Sequence, residues 1–314
     1  METRTLGSSG LRVSRLGLGT MTWGRDTDEI EAAEQLRAFL DAGGNLIDTA
    51  AVYGDGDSER VIGGFLETLV PREQIILATK AGITSRANLR TVNTSRAALL
   101  GELDKSLGRL GVNEIDLWQV HTWDENIPLE ETLSALDYAV SSGRVRYVGV
   151  SNYSGWQLAR AATLQNPLFG KTNIISTQSE YSLLNRKVEE EVIPASIEMN
   201  IGFLAWSPLG RGVLTGKYRN GVPSDSRGAS AHFASFVSPY LDGKSKKIVD
   251  AVCVASEGLG FSPLEVALSW VRDSYGVSSA IVGARTAAQL RGALTVEEIT
   301  LPDQVRAALD EISI

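Results

Sequence analysis

Gln74-Ile75-Ile76-Leu77-Ala78-Thr79, closed by Lys80, is a stretch of strand length with an apolar centre, Ile75 to Ala78. A helical apolar period over residues 94–108 follows it, and then a second run, Ile115-Asp116-Leu117-Trp118-Gln119-Val120. Short runs rich in Ile, Val and Leu, separated by amphipathic stretches, read as strands joined through helices. Outward from this unit the alternation continues in both directions. Further strand runs occupy residues 16–20, 45–48, 145–151, 174–180, 202–207 and 280–282, and further helix patterns 27–42, 58–69, 129–142, 154–164, 188–199 and 286–294. Asp26/Thr27, Ser58, Thr94, Ser154 and Thr286 stand where N-caps are expected, and Gly43-Gly44, Gly108 and Gly143 where helices are expected to end.

Strand followed by helix, repeated about eight times in 314 residues, predicts a (β/α)8 TIM barrel spanning 1–314 as one domain. A doubly wound open sheet shares this alternation. Gly17-Leu18-Gly19 does not make it a dinucleotide fingerprint, because the third glycine would fall at Thr22 and no helix pattern opens there. Two stretches lie outside the alternation. Residues 3–13, centred on Gly7-Ser8-Ser9-Gly10, predict an N-terminal hairpin that plugs the barrel bottom. Residues 210–243, rich in Gly, Ser and Arg, predict a long loop after the seventh strand, of the kind that serves as a lid or stays disordered.

Lys and Arg total 30 against 38 Asp and Glu, a net charge of −8 that speaks against nucleic acid or an anionic membrane as partner. A small anionic ligand stays compatible, because a local site on an acidic protein can be positive. No apolar run reaches the length of a membrane span, and residues 1–10 are too polar for a signal peptide. The single cysteine, Cys253, has no partner for an internal disulfide, so a reducing, cytoplasmic setting is expected. Two histidines, His121 and His232, with one cysteine and no HExxH-type spacing, give a zinc site too few ligands, and no metal is expected.

In a barrel the chemistry sits where strands finish. Asp48 and Tyr53 follow the second strand, Lys80 the third, His121 the fourth, Ser151-Asn152 the fifth and Gln178 the sixth. Trp206-Ser207 ends the seventh, and Gly283 with Arg285 the eighth. Taken singly, an Asp there caps a helix and a Lys reaches solvent. Lys80 is different, because it ends a run that reads as buried strand. A lysine so placed is desolvated and needs a carboxylate, and Asp48 ends the neighbouring strand.

Asp48-Thr49-Ala50-Ala51-Val52-Tyr53-Gly54, the Ala78-Thr79-Lys80 strand end and His121 together resemble the aldo-keto reductase superfamily. The likeness extends from Gly10-Leu11-Arg12-Val13-Ser14 through Gly149-Val150-Ser151-Asn152-Tyr153 and Ser207-Pro208-Leu209-Gly210-Arg211-Gly212 to Gly283-Ala284-Arg285-Thr286. It implies a (β/α)8 barrel, reversible hydride transfer between NADPH and a small carbonyl substrate, and Asp48, Tyr53, Lys80 and His121 as the active-site residues. Tyr53 would then be the general acid, Lys80 would favour its phenolate, Asp48 would hold Lys80 charged, and a neutral His121 would orient the carbonyl oxygen.

The resemblance also implies a cofactor side. Ser151, Asn152 and Gln178 match the residues that hold the nicotinamide carboxamide, and Trp206 stands where an aromatic ring stacks on the nicotinamide. Ser207, Leu209, Gly210, Arg211 and Gly212 resemble the pyrophosphate loop, and Gly283, Arg285 and Gln289 the adenosine end. Ala293 departs from the family, which frequently has asparagine there. Specificity is expected from residues 22–26, 123–127 and 210–243, with Trp23 and Trp123 as an aromatic substrate wall. Two other readings share the barrel: an NADPH-binding regulatory module similar to potassium-channel β-subunits, with little turnover, and a lyase or isomerase that uses no nicotinamide.

Overall fold

The computed structural model describes residues 1–86, 89–224, 226–230 and 233–314, so His232 lies outside the described residues. In chain order the strands are β1 (Thr3–Thr5), β2 (Arg12–Ser14), β3 (Leu16–Gly19), β4 (Leu46–Asp48), β5 (Ile76–Ala81), β6 (Ile83–Arg86), β7 (Leu89–Val92), β8 (Ile115–Val120), β9 (Val145–Ser151), β10 (Ile174–Glu180), β11 (Gly202–Trp206) and β12 (Val277–Gly283). The helices are α1 (Glu29–Asp41), α2 (Asp57–Thr68), α3 (Arg96–Leu110), α4 (Leu129–Ser141), α5 (Gly155–Leu164), α6 (Val192–Glu198), α7 (Ala234–Val237), α8 (Gly243–Leu259), α9 (Pro263–Arg272), α10 (Ala287–Leu294) and α11 (Asp303–Ser313). Eight strands close into a barrel in the order β10-β11-β12-β3-β4-β5-β8-β9, every neighbouring pair parallel. Closure is what separates the TIM barrel from the doubly wound sheet.

Alternate residues of each strand serve two cores. Outward-facing Ile47, Leu77, Trp118 and Val148 join helix residues such as Leu36, Leu103, Leu136 and Leu158 in one large cluster. Leu46, Ala78, Leu117, Ile175, Leu204 and Ile281 fill the lower barrel interior together with Leu6. Leu6 lies in the connection between β1 and β2, which pair antiparallel, so the hairpin does plug the barrel bottom. Burial of that one leucine stabilises the closure by roughly 1.5–3 kcal/mol. Gly7 makes the approach possible: a Cβ there would lie 2.5 Å from the Ile175 carbonyl oxygen.

Several local expectations shift. The N-caps of α1 and α3 are Asp28 and Ser95, and α2 begins after the left-handed Gly56. Thr94 and Ser58, read as caps, instead spend their hydroxyls on Thr132 and on Thr49 and Thr20. The α3 helix runs past Gly108 and ends at Gly111. The expected helix over 188–199 splits into a short turn, Lys187–Glu189, and α6. Pro194 is the reason: within α6 it sits in the first turn, whereas a helix from residue 188 would set its ring against a carbonyl one turn back. The last barrel strand starts at Val277 rather than 280, with buried Ser279 inside it. Residues 210–243 hold short helical turns, including Gly210–Thr215, α7 and Ser238–Tyr240. No single helix among the described residues is long and apolar enough to cross a membrane.

Candidate active site

Asp48 ends β4, Lys80 lies one residue before the end of β5, and His121 follows β8. Because β4, β5 and β8 are neighbours in the ring, the three arrive side by side. Lys80 Nζ donates to Asp48 Oδ2 at 2.7 Å and to the Thr49 carbonyl at 2.8 Å, and both charged side chains are buried. Gln178 Nε2 donates to the other oxygen, Asp48 Oδ1, at 2.8 Å. The chain after β4 stays tied to β5: Thr49 N donates to the Ala78 carbonyl at 2.9 Å and Ala51 N to the Lys80 carbonyl at 3.0 Å. This tether sets Tyr53 over the ammonium, with Lys80 Nζ 5.2 Å from the ring centroid. The His121 ring meets Tyr53 edge-on at 6.0 Å between centroids. Asp48, Tyr53 and His121 line a cavity of about 460 Å³ at the barrel mouth.

Burial pulls the Lys80 pKa down, but Asp48 and Tyr53 more than offset it, and the net shift is upward, so Lys80 is a cation. Burial raises Tyr53, and Lys80 opposes that rise without reversing it. Lys80 therefore pulls the phenol in the expected direction, while burial is the larger influence. Burial first, then the charges of Lys80 and Arg90, push His121 well below the ordinary imidazole value, so the ring is neutral at pH 7. Its Nδ1 is buried with no hydrogen-bond partner among the described residues.

The ends of β9, β10 and β11 are laced together. Ser151 Oγ donates to the Gln178 carbonyl at 2.9 Å. Asn152 Nδ2 donates to the His121 carbonyl at 2.9 Å and to Ser151 Oγ at 3.0 Å, while its Oδ1 accepts from Trp206 Nε1 at 3.1 Å. Asn152 is left-handed (φ 57°), a conformation that asparagine tolerates better than most residues. Beyond β11 the backbone is left-handed again at Ser207, Gly210, Arg211 and Gly212, a concentration typical of functional loops. Trp206, Ser207, Leu209, Arg211 and Gly212 line the cavity. Gly210 packs instead against Leu184, which a Cβ there would meet at 2.7 Å. Across β12, Gly283, Arg285 and Gln289 also line it, at the start of α10, where Thr286 caps by accepting from Gln289 N at 3.2 Å.

Three of the expected site residues have partners that the sequence did not show. Arg211 spends its guanidinium on Glu180 through two hydrogen bonds, at 2.8 and 2.6 Å, and lies 4.0 Å over the Phe236 ring. Its guanidinium thus fastens α7 to the barrel, and the residue still lines the cavity. Trp23 is wholly buried, donates Nε1 to Gln35 Oε1 at 3.0 Å and packs edge-on to Phe65. Trp123 packs against Tyr153 and Trp156. Neither indole lines the cavity, whose wall near Tyr53 and His121 comes from Ile83 and Arg90 of the β6–β7 hairpin. That hairpin was missed: Ile83-Thr84-Ser85 and Leu89-Arg90-Thr91-Val92 hold β-branched residues but no apolar alternation of period two. Among the described residues, no group of three or more His, Cys, Asp or Glu could hold a metal ion.

Comparison with known proteins agrees with this geometry. A family model described as the Aldo/keto reductase family matches residues 15–314. The chain is 35% identical to the uncharacterized oxidoreductase YrpG of Bacillus subtilis, covering 99% of this chain and 96% of that protein. It is 33% identical to the L-glyceraldehyde 3-phosphate reductase of Escherichia coli K12, over 99% of this chain and 92% of the relative. A probable voltage-gated potassium channel subunit beta of Oryza sativa is 35% identical, over 90% of this chain and 87% of its own length. The barrel, its strand-end residues and these matches across nearly the whole chain show that the protein belongs to the aldo/keto reductase family, among whose members are oxidoreductases.

Proposed function

We propose that the protein is an NADPH-dependent reductase of aldehydes or ketones, with Tyr53 as the general acid. The observation that carries this reading is a phenol held against a buried ammonium and beside a neutral imidazole at the barrel mouth. When bound, NADPH supplies a hydride to the carbonyl carbon. The oxygen that gains charge takes its proton from the Tyr53 hydroxyl, and Lys80 stabilises the phenolate left behind. With Nδ1 of His121 lacking an acceptor, the single imidazole proton belongs on Nε2, from which it donates to the carbonyl oxygen. Asp48 keeps Lys80 charged and in place.

The residues fit a nicotinamide dinucleotide. Trp206 offers a flat face. The left-handed turn of residues 207–212 allows close backbone approach, and Lys217, Arg285 and the N-terminus of α10 suit phosphate. Asn152, engaged with His121 and Trp206, places the indole, and Ser151 and Gln178 complete the amide-binding side. Similarity to a potassium channel β-subunit supports a second reading, a nucleotide-binding module with little turnover. A panel of carbonyls and alcohols assayed with NADPH and NADH in both directions separates the two. Steady turnover of several aldehydes supports the reductase; tight NADPH binding without turnover supports the module.

A further inference from the structure

The cavity carries more positive charge than an acidic protein would suggest. Among the described residues that line it, only Asp48 is acidic, and Lys80 neutralises it. Four described lining residues are basic: Arg90, Arg211, Lys217 and Arg285. Arg211 is paired with Glu180. Lys217 and Arg285 follow β11 and β12, on the side of the ring where the dinucleotide phosphates are assigned above. Arg90 belongs to the opposite side, after β5 and next to β8, where Tyr53 and His121 stand.

The local backbone explains how Arg90 gets there. Just beyond Lys80, Gly82 turns the chain outward with φ at 106°, and Asn93 N closes the hairpin neck on the Gly82 carbonyl at 3.0 Å. The neck lies against the catalytic end, since His121 N donates to the Ala81 carbonyl at 2.8 Å. In the ladder Ile83 faces Val92, Thr84 faces Thr91 and Ser85 faces Arg90. Directly opposed residues share a face, so Ile83, Ser85, Arg90 and Val92 lie on one side and the two threonines on the other. The threonine hydroxyls bond to each other at 2.8 Å, exposed to solvent. Ile83 and Arg90 both line the cavity, which identifies the side turned inward. Arg90 makes no hydrogen bond or ion pair among the described residues. Its charge reaches the chemistry, being one of the influences that lower the His121 pKa.

We infer that Arg90 is a specificity-determining residue that recognises an anionic group, phosphate or carboxylate, on the carbonyl substrate. The inference rests on the reductase reading above and deepens it. A guanidinium at the rim binds an oxyanion bidentately while the carbonyl of the same molecule reaches Tyr53 and His121. Ile83 beside it covers the short carbon chain between the two groups.

Two matched pairs test this with NADPH: glycolaldehyde phosphate against glycolaldehyde, and 4-carboxybenzaldehyde against its methyl ester. The wild type is expected to favour the anionic member in kcat/KM, chiefly through KM, and the pair with the larger ratio identifies the preferred oxyanion. Arg90→Ala should cut the anionic-to-neutral ratio by about 10- to 100-fold, the range of a charge-assisted hydrogen bond. Arg90→Lys should restore part of it, and Arg90→Glu should drive the ratio below that of Arg90→Ala. A ratio unchanged in Arg90→Ala, whichever way the absolute rates move, overturns the inference. If the wild type reduces both neutral aldehydes, the reductase reading survives that result; if it reduces no carbonyl at all, both fall.

Discussion

Gln178 and Lys80 divide the carboxylate of Asp48 between them: the amide donates to Oδ1 at 2.8 Å and the ammonium to Oδ2 at 2.7 Å. Asp48 is thereby fixed from two other strands, by residues 32 and 130 positions away in sequence. Lys80→Met and Asp48→Asn should both depress carbonyl reduction, the lysine change more severely, because Lys80 touches Tyr53 and Asp48 acts through Lys80. Breaking one partner of a buried pair should also cost about 3–5 kcal/mol of stability. In a double-mutant cycle the combined loss should be smaller than the sum of the single losses; strict additivity would contradict the coupling.

Tyr53→Phe should lower the reduction rate by roughly 10²- to 10⁴-fold, the usual worth of a positioned general acid. NADPH affinity should be nearly unchanged, since the Tyr53 ring lies over Lys80 and meets His121 edge-on, away from the loop of residues 207–212. Wild-type turnover in Tyr53→Phe would remove the phenol from the mechanism.

The pH profile of reduction should be flat from pH 6 to pH 9. The acid must hold its proton, and the Tyr53 pKa is raised by burial from its ordinary value near 10, so activity is lost only above that. His121 must be neutral, and its pKa is pushed well below 6.5 by burial and by Lys80, so the acid limb lies below that value. A break near pH 6.5 that disappears in His121→Asn would show an unperturbed imidazole instead.

NADPH should quench the tryptophan emission, and Trp206→Ala should weaken both quenching and binding. Trp206 lines the cavity and is anchored by Asn152, so its indole is positioned for stacking. Trp23, Trp118 and Trp270 are wholly buried and form a constant background. Identical titrations for mutant and wild type would leave Trp206 as a wall residue that the cofactor does not touch.

Arg285→Ala should weaken NADPH binding by about 1.5–3 kcal/mol and leave NADH almost unchanged, because only NADPH carries the 2′-phosphate. Arg285 lines the cavity directly before α10, whose N-terminus adds positive potential. Dissociation constants of both cofactors for both proteins check this, and an equal loss for the two would assign Arg285 to the fold or to the shared adenosine.

The sequence by itself determined the strand–helix alternation and the polar residues that stand at the strand ends. Strand and helix periods are local properties of the chain, and a lysine closing a buried strand beside an aspartate demands a pairing that can be read without coordinates. Three of the expected strands, Ile115–Val120, Val145–Ser151 and Ile174–Glu180, have the observed bounds, because each apolar run is complete in itself. What only the tertiary structure decided is where long side chains spend their polar groups. Arg211 reads as part of a cofactor loop, and only the fold shows that its guanidinium pairs with Glu180, 31 positions away. Trp23 reads as a cavity wall until Gln35 and Phe65 enclose it. Arg90 is not singled out by the sequence; the β6–β7 register sets it on the hairpin face that lines the cavity. Periodicity fixes which face a residue takes; which partner waits on that face depends on contacts distant in sequence, and those exist only once the barrel has closed.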